Sequence, residues 1–133
     1  MTRNRASAKA AGSWLERAVA DHIAEQLGDD GIDRQVKTGR YDKGDIRGVK
    51  SLSGDRLVIE CKEYGGQIHA GPWMKEAHIE AGNADAAAAF VVAKRLGTRD
   101  PGEQWVITTV DDLLVLLGAD SRGHDEWTDG EPR

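Results

Sequence analysis

The residues of this chain whose types and spacing suit chemistry are Asp45 and the run Glu60-Cys61-Lys62. Leu57 to Lys62 reads as a β-strand, because apolar and β-branched residues fill its first half and Gly54 supplies a turn before it. Side chains alternate along a strand, so Glu60 and Lys62 project together while Ile59 and Cys61 turn the other way, toward a core. A hairpin through Ser51-Leu52-Ser53-Gly54-Asp55 would return Asp45, near the end of a preceding strand, to the side of Glu60. Two carboxylates and one ammonium at one sheet edge suit metal-assisted phosphodiester hydrolysis. Asp45 and Glu60, joined by a backbone carbonyl such as that of Cys61, are the expected ligands of a Mg2+ with open water positions, and Mn2+ is expected to substitute. Lys62 would stand near the attacking water or the phosphate oxygens, where an ammonium offsets negative charge. The plain alternative is a turn aspartate and a solvated strand end, which short motifs produce often by chance.

The elements that must position these residues fit within one domain, since 133 residues suffice for a modest single core. Cys61 is the only cysteine, which leaves no disulfide framework or thiolate zinc site and makes a reducing cytoplasm the expected compartment. No apolar run approaches the roughly 20 residues that span a bilayer, so no membrane partner is expected. The net charge is −5, yet from Arg34 to Arg56 seven basic residues (Arg34, Lys37, Arg40, Lys43, Arg47, Lys50, Arg56) stand against Asp42, Asp45 and Asp55. That local excess surrounds the proposed metal site and has the sign a phosphate backbone requires. Basic residues on hairpins also serve solubility alone.

Residues 1–11 read as a flexible basic arm, 12–118 as the folded domain and 119–133 as a disordered acidic tail. Ser13 fits the N-cap of a first helix over about 13–27, with Glu16 closing a capping box and Gly28 ending it. After Lys62, Glu63 to His69 reads as a mobile loop over the site, and Pro72 opens a second helix from Trp73 to about Ala84. Lys75, His78 and Glu80 on that helix could face the nucleic acid or a metal-bound water. Ala86 to Arg95 reads as a buried strand with Lys94 emerging at its end, followed by a strand over 104–110 and a short helix capped by Asp111.

Gly12-Ser13-Trp14-Leu15-Glu16-Arg17, then Thr38-Gly39, Gly44-Asp45-Ile46 and Ile59-Glu60-Cys61-Lys62, in that order, resemble the archaeal-type Holliday junction resolvases of the PD-(D/E)xK nuclease superfamily. The likeness of element order spans roughly residues 10–117, with recognisable motifs only up to Lys62. It implies an α/β fold with a restriction-endonuclease-like core, a mixed central sheet flanked by helices in αβββαβ order, and a final strand and short helix. It makes Asp45 and Glu60 metal ligands, Lys62 the catalytic lysine, and Glu16 a further catalytic acid that reaches the metal through water. Arg17 matches a family arginine for DNA, Thr38 a hydroxyl near the scissile phosphate, and Arg34 or Lys37 a basic residue before that loop. Arg40, Lys43 and Lys94 complete the expected DNA contacts. Gly44 stands where the superfamily name has proline, and the chain is more acidic than such resolvases usually are.

The resemblance implies a Mg2+-dependent endonuclease that resolves four-way junctions by paired symmetric cuts as a homodimer, since one metal cluster in one domain makes one cut. The alternatives are a nuclease of the same superfamily acting on flaps, ends or restriction sites, and a non-catalytic DNA-binding module.

Overall fold

The computed structural model describes residues 4–37 and 39–119. Five strands lie side by side in chain order: β1 (Asp33–Arg34), β2 (Ile46–Arg47), β3 (Leu57–Lys62), β4 (Ala88–Ala93) and β5 (Trp105–Ile107). β1, β2 and β3 are antiparallel neighbours, β3 and β4 run parallel, and β5 is antiparallel to β4. The single parallel step needs a crossover, which α2 (Ala70–Ala84) provides. The chain is thus α/β, with a mixed sheet between helices.

Strand alternation divides the core in two. Leu57 and Ile59 of β3 and Ala88, Phe90 and Val92 of β4 pack with Leu15, Val19 and Ala20 of α1 (Arg5–Leu27) and Val115 of α3 (Val110–Leu116). Val58, Ala89, Val91 and Ala93 face Trp73, Met74, Ala77 and Ala81 of α2 on the other side. Every residue of β4 is buried, as its continuous apolar run predicts. Glu60 and Lys62 share the α2 face with Val58, whereas Cys61 packs against the α1 core, half-buried.

The N-terminal region departs from the expectation of an arm. α1 begins at Arg5, where the Asn4 side chain accepts from the Ser7 amide at 2.8 Å, and it ends at Gly28 in the left-handed conformation. Arg5 to Ala11 lack an apolar period but are rich in alanine, and helix propensity extends α1 over them. Ser13 is therefore interior to the helix, and the capping-box reading of Ser13 and Glu16 falls. At α3 the cap is Thr109, whose hydroxyl accepts from the Asp112 amide, and Asp111 lies in the first turn. The acidic segment 120–133 and Met1 to Arg3 lie outside the described residues.

Gly44, between Asp42 and Asp45, has φ +91°, and a Cβ there would lie 2.9 Å from Val58 Cγ1. Proline, locked near −65°, cannot take this conformation, so glycine at position 44 is a requirement of this backbone. Gly54 has φ +86° with open space around its Cβ position. Gly44→Ala and Gly54→Ala share the cost of a left-handed conformation, about 1–2 kcal/mol, but only the former adds a clash against β3. Thermal unfolding is expected to place Gly44→Ala clearly below Gly54→Ala; equal melting temperatures would show that β3 yields to the added methyl.

Candidate functional site

Asp45 is set against the end of β3 by main-chain and side-chain bonds together. Ile46 pairs with Ile59, the Asp45 amide donates to the Ile59 carbonyl (2.9 Å), and Asp45 Oδ2 accepts from the Cys61 amide (2.7 Å). The hairpin closes through Lys50 and Arg56. Asp45 and Glu60, each only 4% exposed, lie side by side, with their carboxyls within hydrogen-bonding reach.

A third acid joins them from α2. Trp73, Met74, Ala77, Ala81 and Ala84 form the buried stripe of that helix, and Glu80 occupies the same stripe, 2% exposed, where helical spacing would place an apolar residue. No amide, hydroxyl, lysine or arginine among the described residues bonds either Glu80 carboxylate oxygen, whose polar neighbours are the carboxyls of Glu60 and Asp42. Among the described residues, one group of acids brings potential ligand atoms within 4.8 Å of one another: Asp42, Glu60 and Glu80. Asp45 and Glu16, expected as ligands, are not in that group. Glu16 instead accepts from Arg34 (3.1 Å), on the α1 side of the sheet, although its charge is felt at Cys61.

Burial and crowding shift these acids together. Desolvation, with the carboxyls of Asp45 and Glu80 alongside, pushes Glu60 up to about 12. Desolvation and the charge of Asp42 push Glu80 up to about 7, against the contact with Glu60, which lowers it. Cys61 is raised well above the ordinary thiol value, first by burial and then by Asp45, Glu16 and Glu60, so its thiolate is disfavoured.

Lys62 projects on the Glu60 face with its side chain 12% exposed, and its ammonium meets both carboxylate oxygens of Glu76 on α2 at 3.1 Å. Burial alone would lower its pKa, but Glu76 and Glu60 outweigh it and the lysine stays charged. The cation that contacts Asp45 is Lys37, at 3.3 Å, likewise kept protonated by Asp45, Asp42 and Glu60 against its own desolvation. Arg34 and Lys37 thus divide between two acids, Glu16 and Asp45.

The other expected DNA contacts are scattered. Arg17 pairs with Asp33 (2.8 Å) and Asp21 (3.0 Å) on the outside of α1. Lys94 turns its ammonium onto the carbonyls of Arg95 and Thr98, near the ring of Trp14. Arg40, against Tyr41, and Lys43 are exposed and line a recess with Lys37 and Asp42. Thr38 lies outside the described residues. His78 meets Asp112 of α3 (2.6 Å), and Lys75 faces solvent. The loop after β3 is held by the Tyr64 ring, edge-on to Trp73 at 5.2 Å.

Comparison with protein-family models, with curated proteins and with solved structures returns no match for this chain. The geometry of the site bears on which ion it could hold. Its donors are carboxylate oxygens, which suit a hard divalent cation, and the unpartnered oxygens of Glu80 fit such an ion better than an empty polar pocket.

Glu60 and Glu80 both hold protons in the native state at pH values where the unfolded chain has released them. Their contribution to stability is complete below the ordinary glutamate value of 4.5 and is lost as pH rises, for Glu80 through about 7. In chelator, the melting temperature is expected to fall between pH 5 and pH 8. Added Mn2+ or Mg2+ takes the place of the protons, so the cation should raise the melting temperature at pH 8 and have little effect at pH 5. A cation effect of equal size at both pH values would show binding elsewhere.

Proposed function

We propose that the chain is a Mg2+-dependent DNA endonuclease, acting on branched DNA and on four-way junctions in particular. The observation that supports this most is the pairing of two buried carboxylates, Asp45 just before β2 and Glu60 in β3, with Lys62 on the same face of β3. This is the arrangement that the resemblance to the PD-(D/E)xK superfamily implies, and the αβββαβ order of the elements agrees with it. Asp45, Glu60 and the Cys61 carbonyl would hold the Mg2+, whose Lewis acidity would serve the scissile phosphate. Lys62, fixed by Glu76, offers a charged ammonium to a phosphate oxygen or to the attacking water. Lys37, Arg40 and Lys43 rim the recess beside Asp45 and would seat the phosphate backbone, which positions without reading sequence. The paired cuts of junction resolution require two copies of this centre, hence a symmetric homodimer. Exposed Val106, Val110, Leu113, Leu114 and Leu117 on β5 and α3 offer apolar surface for it.

A cleavage gel comparing a four-way junction with a linear duplex of the same arms, with Mg2+ and with chelator, tests this reading. Cleavage of the junction in Mg2+ alone is expected. Asp45→Asn and Glu60→Gln should abolish it while leaving junction binding intact, because the phosphate contacts come from basic residues. Near-wild-type cleavage by either variant would refute the centre, and equal cutting of the duplex would move the substrate to other DNA.

Glu16→Gln separates a role at the centre from a role in packing. Its carboxylate closes no capping box, so its structural work is the bond from Arg34, which glutamine can still accept. A fall in turnover of orders of magnitude at an unchanged melting temperature is expected if its charge serves the metal or its water; wild-type turnover would leave Glu16 as the partner of Arg34 alone.

A further inference from the structure

We propose that Asp42, Glu60 and Glu80 form a divalent-cation site of their own, between the 39–44 loop, β3 and α2, sharing Glu60 with Asp45. The proposal goes beyond the nuclease reading, and cation binding here does not depend on it. Ligand oxygens of the three acids lie within 4.8 Å of one another. Oxygens on opposite sides of a Ca2+ are about 4.6–5.2 Å apart, and those around the smaller Mg2+ about 4 Å, so the cluster admits the former as it stands and a Mn2+ or Mg2+ after slight closing.

Glu80 supplies the independent observation. It is 2% exposed in the middle of the apolar stripe of α2, no amide, hydroxyl, lysine or arginine bonds either of its oxygens, its polar neighbours are the carboxyls of Glu60 and Asp42, and one oxygen is aimed into the cluster. A buried carboxylate that faces only other acids is strongly unfavourable when ionised, and a bound cation removes that cost. The protein's own cations do not: Lys62 is engaged by Glu76 and Lys37 by Asp45. Asp42, in contrast, is exposed, which leaves an entry from solvent. Its position is fixed from both sides, since Asp42 Oδ1 accepts from the Gly44 amide (2.9 Å) and Asn83 of α2 donates to the Asp42 carbonyl (2.8 Å). The loop that carries one ligand is thereby tied to the helix that carries another. All donors are oxygens, which selects Mg2+, Mn2+ or Ca2+ over zinc or copper.

Mn2+ binding to the full chain, followed by electron paramagnetic resonance at pH 8 without DNA, tests the site. Glu80→Gln and Asp42→Asn are each expected to weaken one Mn2+ by about tenfold or more, since even outer partners of a metal site are worth that much. Asp45→Asn should retain that ion. Glu80→Met completes the apolar stripe and keeps the test open if glutamine misfolds: it should raise the melting temperature in chelator and, in the Asp45→Asn background, abolish the rise that Mn2+ gives Asp45→Asn alone. Wild-type stoichiometry and affinity in Glu80→Gln, or a Mn2+-induced rise of unchanged size when Glu80→Met is added to Asp45→Asn, would overturn the proposal and leave Glu80 as a buried acid sharing a proton with Glu60. A chain that binds Mn2+ through Glu80 yet cuts no DNA sinks the nuclease reading and supports this site.

Discussion

Carboxyl groups confined in a dry space are the constraint on which this structure turns. Asp45, Glu60 and Glu80 are all nearly inaccessible, and each lies beside another carboxylate. Ionised together they would repel strongly at low dielectric, so Glu60 and Glu80 are shifted to hold protons. They stay together because the surrounding elements leave them nowhere to go. β3 is held on both edges by β2 and β4, and α2 is pressed onto β4 through Ala77, Ala81, Ala89, Val91 and Ala93. Small side chains on both surfaces let the helix sit close, which brings Glu80 over Glu60. The apolar packing on either side stabilises the fold, and the acids are carried within it at a cost. Acids perturbed in this way gather at functional sites.

The same arrangement shows what could be read along the chain and what could not. Glu60 and Lys62 were legible because alternation in a strand is a local rule, and β3 obeys it from Leu57 to Lys62. Buried β4 is legible from its continuous apolar run. Glu80 is legible as a residue that could face a metal-bound water, but not as a member of the buried stripe, because apolarity points to its neighbour Ile79. The stripe from Trp73 and Met74 through Ala77 to Ala81 and Ala84 does contain position 80, so the signal was present in the spacing. Asp42 escaped because its place is set by a loop conformation, a glycine at φ +91° and a bond from Asn83 far along the chain. The start of α1 escaped because alanine-rich propensity leaves no periodic mark. Thr109, rather than the expected Asp111, caps α3, a difference in element boundary and not in the element.

The basic segment needs a different kind of correction. Charge counted along a sequence assumes that each side chain is available, and here much of it is committed internally. Arg34 is held by Glu16, Arg17 by Asp33 and Asp21, Lys37 by Asp45, and Arg56 donates to the Ala84 carbonyl. Arg40, Lys43, Arg47 and Lys50 remain facing solvent. These pairs are mostly near the surface, where each contributes little to stability, so their importance is in orienting side chains and acids.

This distribution bears on how an acidic chain would meet a phosphate. With a net charge of −5 and several carboxylates at its centre, the bare protein presents the wrong sign to DNA at the point where chemistry would occur. The exposed cations near the 39–44 loop can guide a backbone inward, but Lys37 and Lys62 at the centre are already paired to acids. On the nuclease reading a divalent ion would change that balance in part. It would bring two positive charges in exchange for the protons that Glu60 and Glu80 hold, and would leave the Lys62–Glu76 pair in place. On that reading the cation would add part of the positive charge that an acidic centre in an acidic chain lacks, so cation and phosphate backbone would be expected to bind cooperatively.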